Sequence, residues 1–336
     1  MKISNYNIKF VELCKKLSLG EIMDVPIQVS GGFLHLMYKV KTSEGLFAIK
    51  LLNPQIMKRK PAMGHYILSE KVANIAFDNG VRALPAMIID GENIHELDGQ
   101  YYLVFPWYEG ESTKPHDVNI DKCRVIGNLL AQVHSLDLSS LGHDEEITNN
   151  FPMVEWNDFE NDAKKEKVIW LNEFLSKKDV LYSIESLTNE SLEKTSNNMI
   201  ISHRDLDPKN VLWNNENAPM IIDWESAGLI NPSAELFEVA LYWADEGDKG
   251  INKEAFCTLI DSYLNSGGNI NADIEDLMYC ALKGKIGWLE YSIKRSLGLD
   301  SGNDDEKLQG TNDVIPTLKL IDKHLNLIPT VLEWLK

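Results

Sequence analysis

The sequence predicts an α+β protein of two lobes, with strands gathered in the first third and helices filling the remainder. Three observations carry this. Short runs rich in Val, Ile, Phe and Tyr, punctuated by glycine turns, fill residues 22–105. After Pro106 the apolar residues recur at helical spacing. The two textures are segregated along the chain, which is the order of an α+β protein. The change falls at FPWYEGE, residues 105–111, and divides the chain into 1–106 and 107–336.

Residues 4–20 read as a short amphipathic helix stopped by Gly20. IMDVPIQV, FLHLMYKVK and LFAIKLLN follow as three antiparallel strands, separated by Ser30-Gly31-Gly32 and by Thr42-Ser43-Glu44-Gly45. Residues 62–79 form a helix closed by Asn79-Gly80, and Pro85 to Phe105 is strand-rich, with turns at Asp90-Gly91 and Asp98-Gly99. Residues 117–135 place Val118, Cys123, Ile126, Leu129, Leu130 and Val133 on a helical repeat. Helices are expected at 155–178 and 185–196. A break comes at 199–223, where Met199-Ile200-Ile201 and Met220-Ile221-Ile222 flank a polar loop. Helical patterns resume at 233–245, 253–266, 273–297 and 304–335, and the acidic run Gly298 to Glu306 reads as a solvated loop.

Composition excludes several classes. Lys and Arg number 33 against 51 Asp and Glu, a net charge of −18. Such a chain repels phosphate backbones and anionic membrane surfaces, so neither nucleic acid nor membrane is expected as a partner. No run of ~18 apolar residues occurs, and the N-terminus lacks a signal-peptide stretch. The four cysteines, Cys14, Cys123, Cys257 and Cys280, are scattered and form no C-x-x-C pair. Neither a disulfide framework nor a structural zinc site is expected, and the bland reading is reduced thiols in a cytoplasmic protein.

The chemistry lies in residues 203–225. His203-Arg204-Asp205-Leu206-Asp207-Pro208-Lys209-Asn210 is followed, thirteen residues after Asn210, by Asp223 in Ile221-Ile222-Asp223-Trp224-Glu225. Asp205 and Asp223 each end a short apolar segment, which holds a carboxylate at the mouth of a strand. Asp223 with the amide oxygen of Asn210 suits Mg²⁺, a hard ion that shares its shell with phosphates. Asp205 is then left to accept a proton from a hydroxyl nucleophile. An ordinary turn, with Asp205 and Asn210 bonded to nearby backbone, is the alternative.

These residues spell the H-R-D-L-x-x-x-N catalytic loop of the kinase fold. HRDLDPKNVLW followed by IIDWESAGLINPSAELFEVALYW resembles the aminoglycoside phosphotransferase and choline kinase group of small-molecule kinases. The resemblance implies a bilobal protein-kinase-like fold and use of ATP with Mg²⁺. It implies Asp205 as catalytic base and Asn210 and Asp223 as metal ligands. It makes Ser30, Gly31 and Gly32 the phosphate-covering loop, whose glycines let backbone amides approach the triphosphate. It likens Lys50, which closes the strand Leu46–Lys50, to the lysine that contacts the α- and β-phosphates, and Glu70 to its ion-pair partner. Phe105-Pro106-Trp107-Tyr108 becomes the hinge, with Phe105 and Trp107 beside the adenine. His203 braces the loop, and His134 packs. Asp223 is followed by Trp224-Glu225 rather than the protein-kinase D-F-G, and no A-P-E occurs. Arg204 and Asp207 stand where the small-molecule kinases commonly have Gly and His, so no substrate transfers from a particular member.

The acidic balance favours a small amine-bearing acceptor, aminoglycoside-like or an amino alcohol. Candidate lining comes from Asp207, Glu225, Asp245 and Glu246, with Trp288, Glu290 and Tyr291 from the last helices; Trp288 also reads as plain helix packing. A protein or regulatory kinase and a nucleotide-binding pseudokinase used as an interaction module are the alternatives.

Overall fold

Alternation along three strands sets the first sheet. The computed structural model describes residues 6–29, 35–141, 152–300 and 304–336. Strands β1 (Ile27–Val29), β2 (Leu36–Thr42), β3 (Gly45–Leu51), β4 (Ile94–Leu97) and β5 (Gln100–Pro106) form one antiparallel sheet in the order β1-β2-β3-β5-β4. At the β4–β5 turn Asp98 and Gly99 both have left-handed backbone, φ 49° and 81°. That conformation matches the sheet's twist, and is why Asp-Gly stands there.

Directly opposed residues share a face, so register sorts the side chains. Tyr38, Val40, Phe47, Ile49, Leu51, Tyr102 and Val104 build a core with Leu13 and Cys14 of α1 (Phe10–Lys16). Each such side chain contributes roughly 1.5–3 kcal/mol by leaving water. The other face pairs Lys50 with Met37 and Leu103, and Ala48 with Lys39 and Phe105. α1 thus covers one face and leaves the lysine face to the cleft. The expected helix at 4–20 is shorter than predicted, because Lys9, φ −134° and ψ 65°, lies outside the helical region.

Between β3 and β4 lie α2 (Pro54–Met57) and α3 (Ala62–Asp78). Beyond β6 (Glu111–Ser112) come α4 (Ile120–His134), α5 (Trp156–Glu166) and α6 (Leu171–Thr195). The loop region holds β7 (Ile200–Ser202), β8 (Val211–Trp213), β9 (Pro219–Ile221) and β10 (Gly228–Ile230). β7 pairs with β10, and β8 lies between β6 and β9. Then follow α7 (Pro232–Trp243), α8 (Lys253–Asn265), α9 (Ile274–Cys280), α10 (Lys283–Ser296) and α11 (Asp304–Trp334). Asn119, Asn231 and Asn252 cap α4, α7 and α8 with their side-chain oxygens, about 1 kcal/mol each.

Two boundaries differ from expectation. The break placed between 178 and 185 does not exist; α6 is continuous, and the chain turns instead at Lys167, φ 53°. Burial of Leu181 and Ile184 against Ile286, Leu289 and Leu318 overrides the weak helix propensity of the β-branched residues around them. The helix expected at 273–297 kinks at Ala281-Leu282, where ψ of −8° and −20° tighten the turn between α9 and α10. Among the described residues no helix is long and apolar enough to cross a membrane.

The β-rich and helical regions share a core. Val72, Ala73, Ala76, Val81 and Ala83, from α3 and the segment after it, are buried in the same cluster as Ile126, Leu130, Trp224, Phe237 and Tyr263. Backbone bonds reinforce this: Ile221 N–H donates to Arg82 O at 2.7 Å, and Leu84 N–H to Ile221 O at 2.9 Å. Ile221 lies two residues before Asp223, so the polar loop is fixed to the strand-rich region.

α4 and α8 approach most closely at Gly127, where an added Cβ would lie 2.3 Å from Leu259 O and 2.9 Å from Ser262 Cβ. Gly127→Ala should therefore destabilise the protein by roughly 1–3 kcal/mol through overpacking. A lowered midpoint in urea unfolding at unchanged slope checks this.

Candidate active site

The loop after β7 is shaped by its own polar side chains. Asp207 accepts the Lys209 N–H at 2.8 Å and opens a single 3-10 turn, Pro208–Asn210. His203 is fully buried; its Nε2 faces Ile222 O at 3.1 Å while Nδ1 accepts the Asp205 N–H at 3.2 Å. These bonds put a proton on Nε2 and tie the loop to the segment carrying Asp223. Arg204 has left-handed backbone, φ 64°. Its N–H donates to Glu235 Oε1 of α7 at 2.6 Å, and Glu235 Oε2 meets His134 Nε2 at 2.9 Å. His134 Nδ1 in turn meets the Tyr263 hydroxyl at 2.9 Å. His134, expected only to pack, thus holds the carboxylate that holds the loop.

The loop brings Asp205 and Asn210 together. Asn210 Nδ2 donates to Asp205 O at 2.8 Å and to Asp205 Oδ2 at 2.9 Å. Lys209 Nζ lies 3.4 Å from Asp205 Oδ1. Burial pushes the Asp205 pKa above its ordinary value, against the pull of Lys209.

Lys50 lies across from this pair. Its Nζ donates to Asp223 Oδ1 at 2.8 Å and to Glu225 Oε2 at 2.5 Å. Burial alone would lower the Lys50 pKa; the two carboxylates reverse this and hold it up. Burial likewise opposes ionisation of Asp223, but Lys50 wins and keeps its pKa below the usual range. For Glu225 burial prevails and the pKa is raised.

The expected Lys50–Glu70 pair is not formed, and that assignment is corrected. Glu70 Oε2 accepts the Ala86 N–H at 2.7 Å, and the side chain is buried. Burial pushes its pKa up to about 7. The otherwise unpaired Ala86 amide takes the carboxylate, while Lys50 turns to the Asp223–Glu225 segment. Glu225, nominated as acceptor lining, therefore belongs beside Lys50. Asp245 is occupied by Lys323 at 2.5 Å, Glu246 by Asn252 at 3.1 Å and Glu290 by Lys294 at 2.6 Å. Trp288 stays partly exposed against Tyr291, ring centroids 5.7 Å apart.

Phe105 shares the lysine face, packed near Leu103 and Tyr66. The Trp107 ring sits under Lys39 Nζ, 4.1 Å from its centroid, and its indole N–H donates to Glu109 at 2.8 Å. Ser30, Gly31 and Gly32 lie outside the described residues.

Sequence reasoning missed Glu235, Glu238 and Tyr242 as parts of the site. The signal was present: PSAELFEVALYW is an apolar helix that places these three at positions i, i+3 and i+7 of one face. It also missed His35 and Tyr66, which lie beside Glu225 and carry no local motif.

The donors suit Mg²⁺. Asp223 and Glu225 already converge on one cation, the Lys50 ammonium. Asn210 uses its Nδ2 on Asp205, which leaves Oδ1 for a metal. Among the described residues no three His, Cys, Asp or Glu side chains form a self-sufficient cage.

The model of the phosphotransferase enzyme family matches residues 27–261. No curated protein sequence matches the chain. Among solved structures, spectinomycin phosphotransferase in complex with ADP and spectinomycin superposes with a TM-score of 0.72 at 14% identity, over 94% of this chain and 97% of that one. An aminopropanol kinase associated with a microcompartment gives 0.60 at 14%, over 95% and 98%. The ethanolamine kinase of Plasmodium vivax gives 0.59 at 16%, over 89% and 83%. At these identities the likeness is one of fold.

Glu70 supplies a pH test. Its folded pKa of about 7 exceeds the reference value of 4.5. Between those values the folded state holds a proton that the unfolded state has lost, so stability falls as pH rises. Relative to Glu70→Gln, the wild type should lose up to roughly 3 kcal/mol from pH 4.5 to 7 and no more above. Urea unfolding of both proteins across that range checks it; a constant difference would refute it.

Proposed function

Because the chain belongs to the phosphotransferase enzyme family, we propose that it transfers the γ-phosphoryl group of ATP to a hydroxyl of a small amine-bearing alcohol. The observation that carries this reading is the juxtaposition of Asp205, bonded to Asn210, with the Lys50–Asp223–Glu225 cluster. A base for the acceptor thereby stands beside the groups that suit a metal-bound triphosphate. In this reading residues 1–106 hold the nucleotide, and 107–336 carry the loop and the acceptor.

Asp223 and Asn210 would hold Mg²⁺, which when bound would neutralise charge on the triphosphate. Lys50 supplies a second positive charge to the triphosphate. Asp205 orients the acceptor hydroxyl and takes its proton as the oxygen bonds to the γ-phosphorus. The bond from that phosphorus to the bridging oxygen breaks, and ADP leaves. Alignment and charge neutralisation supply most of the rate in such a reaction. The raised pKa of Asp205 makes it a better base than an exposed carboxylate.

The acceptor reading rests on a second pair of side chains. On α7 the Tyr242 hydroxyl donates to Glu238 Oε1 at 2.9 Å. Both side chains keep some accessible surface, yet burial pushes both pKa values up, with the Asp205 charge contributing to each. Because the Asp205 charge bears on both, we read this half-buried pair as the part of the acceptor site that would meet an ammonium. Lys285 is buried nearby, its Nζ 5.4 Å from the Tyr242 ring centroid. Its charge offsets part of the Glu238 field, which fits one ammonium better than a polycation. The ethanolamine and aminopropanol kinases among the similar structures are named for amino alcohols.

Mg²⁺-dependent ADP release across amino alcohols, aminoglycosides and sugars tests the reading. Asp205→Asn should lower kcat by at least ~100-fold while nucleotide binding persists. The wild-type rate should fall on the acid side at a pH above the ~3.9 of an unperturbed aspartate. Glu238→Gln should raise KM for an amine acceptor about 10-fold and leave KM for ATP unchanged. Turnover on neutral sugars alone, indifferent to Glu238, would overturn the amine assignment.

A further inference from the structure

We propose that Glu225, held in place by His35 and Tyr66, is the residue that positions Lys50, taking the part expected of Glu70. The inference rests on the reading that Lys50 serves the nucleotide.

The argument begins with what α3 offers the cleft. Tyr66 and Glu70 stand four residues apart on one face of α3, and both are buried. Glu70 is spent on the Ala86 amide. Tyr66 reaches the cluster instead, its hydroxyl 2.6 Å from His35 Nε2. His35 Nδ1 accepts the Asn53 N–H at 2.9 Å, so in the neutral ring Nε2 carries the proton. That nitrogen also faces Glu225 Oε2 at 3.4 Å, the same oxygen that accepts from Lys50 at 2.5 Å. Burial, with Lys50 adding to it, brings the His35 pKa down to about 3. His35 is therefore a dipole and adds no competing charge beside Lys50.

Glu225 is anchored from its own side as well. It lies on the 3-10 turn Trp224–Ser226, and the buried Trp224 ring meets the His203 ring edge-on, centroids 4.7 Å apart. Asn53, which orients His35, also caps α2 by accepting the Gln55 N–H at 2.9 Å. Lys50 is thus linked to α3 by the path Glu225, His35, Tyr66, and to the loop through Trp224. With Asp223 taken up by a metal, Glu225 is the nearest carboxylate left to orient the ammonium. Displacement of α3 would then reach Lys50 through Tyr66.

The test reads Lys50 directly. Acylation by a succinimidyl ester is followed by peptide mass spectrometry on the whole protein, for wild type, Glu225→Gln, Tyr66→Phe, the double variant and Glu70→Gln, each confirmed folded by circular dichroism. Removing the carboxylate frees Lys50 Nζ from one of its two side-chain bonds and opens it to the ester, so Glu225→Gln should speed labelling about 5-fold or more, and Tyr66→Phe about 2-fold. In the Glu225→Gln background Tyr66→Phe should add nothing, because its effect runs through Glu225. Glu70→Gln should leave labelling unchanged. Equal effects of Tyr66→Phe in both backgrounds, or acceleration by Glu70→Gln matching that of Glu225→Gln, would overturn the proposal. The same labelling with Mg-ATP present separates the premise: protection of Lys50 supports its nucleotide role, and no protection overturns that role, whereas the variants without nucleotide judge the cluster itself.

Discussion

One buried carboxylate underlies the geometry of the loop that carries Asp205 and Asn210. Glu235 sits in α7 with almost no exposure, where an unpaired charge would be costly. It is stabilised from two sides, by the Arg204 N–H and by the His134 imidazole. Burial opposes its ionisation, yet His134 holds its pKa below the ordinary value. The bond matters because Arg204 has a left-handed backbone, which costs a non-glycine residue roughly 1–2 kcal/mol. Glu235 offsets that strain, and the strained residue aims the next one, Asp205. His134 and Tyr263 behind it carry the constraint into α4 and α8. The position of Asp205 is therefore set by three helices packed far beneath it.

The Lys50 cluster follows a different logic. Asp223 and Glu225, separated by a single residue, both face one ammonium. Burial works against the charge on each carboxylate and on the lysine, and their mutual attraction opposes it. Their mutual neutralisation lets three charged groups occupy a desolvated cleft.

The first strands, the Asp-Gly turns and the segregation of strands from helices were legible in sequence because each depends on local chemistry: alternation, left-handed turn residues, helical spacing. That Asp205 and Asn210 meet was legible because they lie on one short loop. Glu70 was misread because its partner depends on an amide at Ala86, and no periodicity reveals where a chain leaves a donor unpaired. His35 and Tyr66 could not be linked to Glu225 from sequence, since the contact joins residues some 160–190 positions apart. The continuous α6 was missed for a related reason: burial of Leu181 and Ile184, rather than propensity, keeps it helical.

The shared core around α3 bears on how the chain is made. Val72, Ala73, Ala76, Val81 and Ala83 find their partners on helices as distant as α8, about 180 residues downstream. At a synthesis rate of about 5–20 residues per second, that apolar stripe waits roughly 10–40 s for its cover. The strand-rich region leaves the ribosome first, with a sheet able to form and one greasy helix face with nothing to meet. The nascent chain thus passes through a stage that invites either chaperone capture or self-association, and it ends only when α7 and α8 have emerged. A gene truncated after the strand-rich third would hold the product at that stage for good.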